Sequence, residues 1–162
     1  MSYHRYEEIK KDIENYGFTI VDKDFDKPWG AFLRIKEEEV RSFTEQFFEN
    51  IDLNKISYKG KFSPKILIVK PGARLSWQYH LRRAEIWQVL KGPVGVIRSH
   101  DNSEKEMTKL EEGEQIFLSQ GERHRLIGLE SYGIIAEIWQ HTHFIPSDEK
   151  DIVRVQDDFK RG

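Results

Sequence analysis

The residues best equipped to do chemistry are Gln78, His80, Glu85 and His124. Side chains alternate along a β-strand, so Ser76, Gln78 and His80 would share one face while Leu75, Trp77 and Tyr79 take the other. After the turn Arg82-Arg83-Ala84, Glu85 would share its face with Trp87 and Val89, and a hairpin would bring Glu85 up to His80. His124 follows the turn Gln120-Gly121-Glu122-Arg123 and opens a later strand, which faces the first pair if the sheet closes into a barrel. Two neutral imidazoles, one carboxylate and one amide oxygen form a nitrogen and oxygen set suited to one divalent metal ion. Zinc is the first expectation, with manganese, iron and nickel as alternatives, and calcium is disfavoured. Water or substrate would take the remaining coordination positions. Any single histidine is more often a surface or satisfied core residue than a ligand.

The elements that must position these residues follow from periodicity and turn chemistry. Tyr6, Ile9, Ile13 and Tyr16 recur at three- and four-residue steps, which predicts an amphipathic helix over 1–17, ended by Gly17. Short extended pieces, Phe18 to Val21 and Ala31 to Ile35, flank the turn Lys27-Pro28-Trp29-Gly30. Val40, Phe43, Phe47 and Phe48 suit a helix over 37–50, with three glutamates at its start where the macrodipole favours them. It reads as a cover over the barrel. After Gly60 the texture changes to short β-branched and aromatic stretches between turn signals. The expected strands are Lys65 to Val69, Leu75 to Leu81, Ala84 to Leu90, Val94 to Arg98, Glu106 to Leu110, Gln115 to Leu118, Arg123 to Ile127 and Gly133 to Gln140. About eight such strands fit a jelly roll or small barrel. The whole chain, 1–162, then reads as one domain with its metal-binding barrel over 61–161.

The stretch Gly72 to Glu85, followed by Gly92, resembles the first cupin motif, with Gln78 where many cupins carry the first histidine. Gly113 to His124 resembles the second. The fold expected from this is an all-β cupin jelly roll, or double-stranded β-helix, with an N-terminal helix and one inserted helix. The resemblance narrows at Lys27-Pro28-Trp29-Gly30, Val69 to Ser76, Gln78-Tyr79-His80, Arg83-Ala84-Glu85-Ile86-Trp87, His124-Arg125-Leu126 and Asp151-Ile152-Val153-Arg154. These look like the type II mannose-6-phosphate isomerase cupin, from about Asp26 to Arg161, and they make a ligand set of the four residues above. Nothing resembles the nucleotidyltransferase domain often fused to that cupin. The chain departs from the pattern at Leu81, Ser119 and Trp139, and its tail Asp157 to Arg161 lacks a Gly before the Arg; each departure could reshape a substrate pocket.

The activity this implies is metal-dependent interconversion of mannose 6-phosphate and fructose 6-phosphate, or a related aldose-ketose isomerisation. Such a reaction needs a base near the substrate carbon, for which Lys65 and Glu137 are the candidates. An exposed strand end for Lys65 and a salt bridge to arginine for Glu137 are equally compatible with the sequence. A sugar phosphate calls for cations, and Arg74, Arg83, Arg154 and Arg161 are available, with ordinary surface pairing favoured for Arg74 and Arg161. Trp87, on the face of Glu85, is the tryptophan expected to meet a sugar ring; Trp77 and Trp139 read as core. His141 and His143 could form a second metal pair, but a polar rim or strand end is the favoured reading. The competing functions are a cupin that binds a sugar or small ligand without turnover and an iron-dependent oxygenase, the latter disfavoured by Gln78.

With 26 basic and 28 acidic residues the net charge is -2, and no like-charge block suggests a nucleic-acid partner. The absence of cysteine excludes disulfides and thiolate metal sites. The polar start Met1 to Lys11 and the lack of a long apolar run give no sign of a membrane, so a soluble cytoplasmic protein is expected. Unpaired strand edges suggest a homodimer.

Overall fold

The central strands read as almost unbroken apolar runs because the sheet they form is covered on both faces. In a computed structural model, which describes residues 2–56 and 61–159, eleven strands form two antiparallel sheets. One has six strands in the order β1 (Ile20–Lys27), β2 (Gly30–Ile35), β3 (Lys65–Val69), β10 (Gly133–His141), β5 (Arg83–Lys91), β8 (Gln115–Leu118). The other has five, β11 (Val153–Gln156), β4 (Trp77–Tyr79), β9 (Arg123–Gly128), β6 (Val94–Ser99), β7 (Thr108–Leu110). Leu67, Trp87, Val89 and Ile135 of the first sheet share one apolar cluster with Val96 and Leu126 of the second, so the inner faces close on each other. The alternate residues Ile66, Ile68, Ile86 and Ile138 face outward into a second cluster.

That outer cluster is completed by helices. α1 (Ser2–Asn15) buries Tyr6, Ile9 and Ile13 at the spacing of one helix face. It ends as expected at Gly17, whose φ of +100° suits the left-handed stop and whose N–H donates to the Glu14 carbonyl. Tyr16 lies beyond the helix and is exposed, touching Phe47 edge-on. The expected helix over 37–50 is shorter and broken: a 3-10 turn (Glu37–Glu39), α2 (Val40–Phe47), and then Phe48 in extended conformation. A further helix, α3 (Leu53–Ile56), has no signal in the sequence. The glutamates of the 3-10 turn also do more than complement a dipole. Glu37 accepts the N–H groups of Phe62 and Ser63, and Glu39 accepts both the N–H and the hydroxyl of Thr19, tying the insertion to the sheet. Phe43, fully buried, packs its ring against Phe18, Phe47 and Phe48.

Three strand expectations need correction. β1 runs on to Lys27, and with β2 it extends the six-stranded sheet, so the barrel wall begins well before residue 61. β4 keeps only Trp77–Tyr79 of the stretch 75–81, because the chain on either side leaves the ladder. β11 was not foreseen: all four of its residues are exposed, which removes the alternation that marks a half-buried strand. The turn before β2 depends on Gly30, where a Cβ would lie 1.9 Å from the Ile68 carbonyl oxygen. Among the described residues no helix is long and apolar enough to cross a membrane.

The outer layer should therefore be integral to the fold. Phe43→Ala is expected to lower unfolding free energy by about 3–5 kcal/mol, measured by chemical denaturation; a loss below about 1 kcal/mol would mean that the insertion is a dispensable cover.

Candidate metal centre

β4 and β9 lie side by side, and Gln78 stands directly opposite His124 in their register. His80 follows β4 at once, and its carbonyl accepts the N–H of Gly121, so the turn leading to His124 is tied to the segment carrying His80. Glu85 belongs to the other sheet. β4 and β5 do not pair as a hairpin, contrary to the sequence expectation; the chain from 80 to 85 crosses between sheets, and Glu85 meets the histidines across the barrel interior. His80 Nε2 lies 3.2 Å from Glu85 Oε2, and His124 Nε2 3.6 Å from Glu85 Oε1. One ligand atom from each of His80, Glu85 and His124 lies within 4.8 Å of the others, and all three residues are buried.

The hydrogen bonds behind the histidines decide which nitrogen is offered. His80 Nδ1 is 2.7 Å from the Asp151 carbonyl oxygen and His124 Nδ1 is 3.1 Å from that of Glu122. A carbonyl only accepts, so each Nδ1 carries the proton and each Nε2 presents a lone pair toward Glu85. Burial pulls His80 down to about 4 and also lowers His124, so both rings are neutral at neutral pH. Burial works against the charge on Glu85, but the positive charge of His80 when protonated, of Arg83 and of His124 when protonated outweighs it and holds the carboxyl below the usual carboxylate range; with both rings neutral, Arg83 is the cation that remains. Gln78 donates its amide N–H to Ser76 Oγ, 3.0 Å away, which leaves its oxygen as the group to offer a cation. Two lone-pair nitrogens, a carboxylate and an amide oxygen thus fit a divalent first-row metal.

Around this group the walls form a cavity of about 130 Å³ that includes Gln78, Glu85, His124, Lys65, Glu137 and Arg154. That is room for several waters or the reacting end of a small polar ligand. Lys65, Glu137 and Trp87 lie in one row across β3, β10 and β5. Both alternatives open in the sequence fail here. Lys65 is only 7% exposed and bonds Glu149 at 2.9 Å, and Glu137 accepts from two indoles, Trp87 Nε1 at 2.9 Å and Trp139 Nε1 at 3.2 Å, rather than from an arginine. Burial first, then the charge of Glu85, pushes Glu137 up to about 8. Trp87 is buried and sets its ring edge-on to His124, so it links the metal group to Glu137.

The remaining candidates divide. Arg83 is buried with its Nε on Glu85 Oε2 (2.9 Å), its Nη1 on Ser147 and the Asp148 carbonyl, and its face on Trp139. Arg154, on β11, lies opposite Gln78 in register and lines the cavity. Arg74 forms a two-pronged surface pair with Asp158, as expected; Arg161 lies outside the described residues. Trp77 points away and donates to the Asn102 carbonyl. His141 is neither rim nor metal pair: it is buried between the Lys61 carbonyl and the Ser147 N–H, while His143 stacks on Phe144. Of the departures, Leu81 is exposed and Trp139 braces both Glu137 and Arg83.

Asp151 opens the Asp151-Ile152-Val153-Arg154 stretch, and nothing in its spacing connects it to residues about seventy positions away. Its carbonyl orients His80, and its carboxylate accepts the N–H groups of Leu81 and Arg82 and the hydroxyl of Ser147. Removing that carboxylate should loosen His80 without removing a ligand. Asp151→Ala is expected to weaken metal binding about 10–100-fold in competition with a chromogenic chelator, with the β-sheet circular dichroism retained; unchanged affinity would remove the positioning role.

Comparison with known proteins agrees with this fold. The model of the family described as mannose-6-phosphate isomerase C-terminal matches residues 35–157. The xanthan biosynthesis protein XanB of Xanthomonas campestris pv. campestris is 29% identical over 136 residues, covering 83% of this chain but only 23% of that protein. CapF, a capsular polysaccharide assembling protein from Staphylococcus aureus, superposes with a TM-score of 0.54 at 14% identity over 86% of this chain and 34% of CapF. Its complex with 3-isopropenyl-tropolone gives 0.57 over the same shares, at 13% identity. At these identities the likeness to CapF is one of fold. The family match spans most of the chain, from the end of β2 past β11, and the chain belongs to the mannose-6-phosphate isomerase C-terminal family, with a cupin fold.

Proposed function

We propose that this protein is a metal-dependent aldose-ketose isomerase that interconverts mannose 6-phosphate and fructose 6-phosphate, or a closely related sugar-phosphate pair. The observation that carries this reading is Glu137, a buried carboxyl pushed up toward neutrality, which lines the same cavity as Glu85 and His124 of the candidate metal group. His80, Glu85, His124 and Gln78 would hold one divalent ion, zinc as first expectation. When bound, that ion would supply Lewis-acid stabilisation of negative charge developing on the sugar oxygens.

In the forward direction Glu137 takes the proton from C2 of the open-chain aldose. The C2–H electron pair becomes the C1–C2 double bond, and the C1 carbonyl oxygen gains the charge and then a proton. Return of the proton from Glu137 to C1, with loss of the O2 proton, completes the ketose. An acid poised at about 8 can exchange protons in both directions at neutral pH. Trp87 and Trp139 hold the carboxyl by its two oxygens and so fix where the proton is taken. Lys65, opposite Glu137 on β3, is the second candidate for proton transfer. Arg83, Trp87 and Arg154 are the residues proposed to contact substrate, within a cytoplasmic and dimeric protein.

A second reading has an observation of its own. Both oxygens of Glu137 are engaged by indoles, and Lys65 and Arg83 are already bonded to Glu149 and Glu85. A cavity so internally satisfied also suits a cupin that binds a sugar without turning it over.

The two readings part on turnover. The isomerase should carry about one metal per chain by elemental analysis, lose it in His80→Ala and His124→Ala, and lose mannose 6-phosphate isomerisation to a chelator. Glu137→Gln is expected to lower kcat by about 10²–10⁴-fold with KM little changed. Metal and sugar binding without product would leave the binding reading.

A further inference from the structure

We infer that Lys27, Arg34 and Lys65 form an anion site at the mouth of the cavity, that Glu149 is its built-in occupant, and that a phosphate monoester displaces it on binding. The class of ligand rests on the isomerase reading; the site itself rests on geometry.

Three cations surround one aromatic ring. The charged ends of Lys27, Arg34 and Lys65 lie 5.8, 5.9 and 5.2 Å from the centre of Phe32. Arg34 and Lys65 are also direct cross-strand neighbours on β2 and β3. Like charges in that relation repel, and a buried ammonium such as Lys65 needs a counter-charge. A single carboxylate oxygen supplies it: Glu149 Oε1 lies 2.9 Å from Arg34 Nη2 and 2.9 Å from Lys65 Nζ. Among the described residues Lys27 has Asp24 alone, at 3.9 Å, in ion-pair range. Two or more cations converging on one oxygen is the arrangement that suits a phosphoryl group, which offers several charged oxygens where Glu149 offers one to the pair.

Glu149 is also placed to leave. It lines both the metal cavity and the neighbouring hollow on the outer side. Its side chain is 52% exposed, while the chain beside it is held at Ser147 and Asp148 by Arg83 and at Asp151 by the 81–82 turn. The carboxylate can therefore swing into solvent with the loop in place. Arg83, whose guanidinium is engaged by Glu85, Ser147, the Asp148 carbonyl and His80 Nε2, is a poorer partner for an incoming anion.

The test is calorimetric titration of inorganic phosphate into the purified protein and its Glu149→Gln and Arg34→Gln variants at constant ionic strength. Removing the competing carboxylate should tighten phosphate binding by about fivefold, and removing Arg34 should weaken it by a similar factor. No gain in Glu149→Gln, or no loss in Arg34→Gln, overturns the site. Phosphate binding of the expected order without any hexose phosphate isomerisation upholds the anion site and removes the isomerase reading. Turnover with a KM for mannose 6-phosphate unchanged by Arg34→Gln does the reverse.

Discussion

The constraint on which the rest depends is the burial of Glu85. A carboxylate this deep cannot keep its charge without a partner, and the fold gives it the guanidinium of Arg83 while turning the lone-pair Nε2 atoms of His80 and His124 toward it. Those partners come from both sheets and from the connection between them, so the group exists only when the barrel is closed. The same crowding makes it a site for a cation: two neutral imidazoles and one carboxylate converge where water is largely excluded.

Backbone and side-chain hydrogen bonds around the group hold this arrangement. Carbonyls of Asp151 and Glu122 set the tautomers of the two histidines, and each residue is itself fixed, Asp151 by the 81–82 turn and Glu122 by Arg98 and the Ser119 N–H. Arg83 extends the network into residues 147–148, and Trp139 stacks beneath it. Metal group, Glu137 and the loop carrying Glu149 therefore form one connected polar assembly, set in a barrel whose other layers are apolar.

Glu85 and Glu137 show how one interior gives two carboxyls different characters. Glu85, beside Arg83 and the two imidazoles, stays ionised; Glu137, held by indole N–H groups and facing Glu85's charge, is pushed up to about 8. Separation of that kind lets one carboxyl serve as ligand and the other as proton carrier.

Period-two alternation and the motif residues were enough to place Gln78, Glu85 and His124 on strands, with His80 just past the end of one, and to outline β3, β5, β6, β8, β9 and β10, because those signals are local. The spacing of Tyr6, Ile9 and Ile13 likewise marked α1 and its buried face. Pairing was not local. That β4 and β5 lie in different sheets, that β1 and β2 extend the barrel wall, and that exposed β11 covers an edge were decided by which surfaces the closed barrel could bury. Glu149 and Arg34 carry no pattern of their own, and the motif that holds Asp151 does not say what it touches; all three matter because contacts spanning about seventy to more than a hundred residues bring a loop against His80, Lys65 and β2. Residue type and local spacing determined which groups could act, and the packing of two sheets decided which of them meet, because a charge or lone pair has an effect only at the distance that tertiary structure gives it.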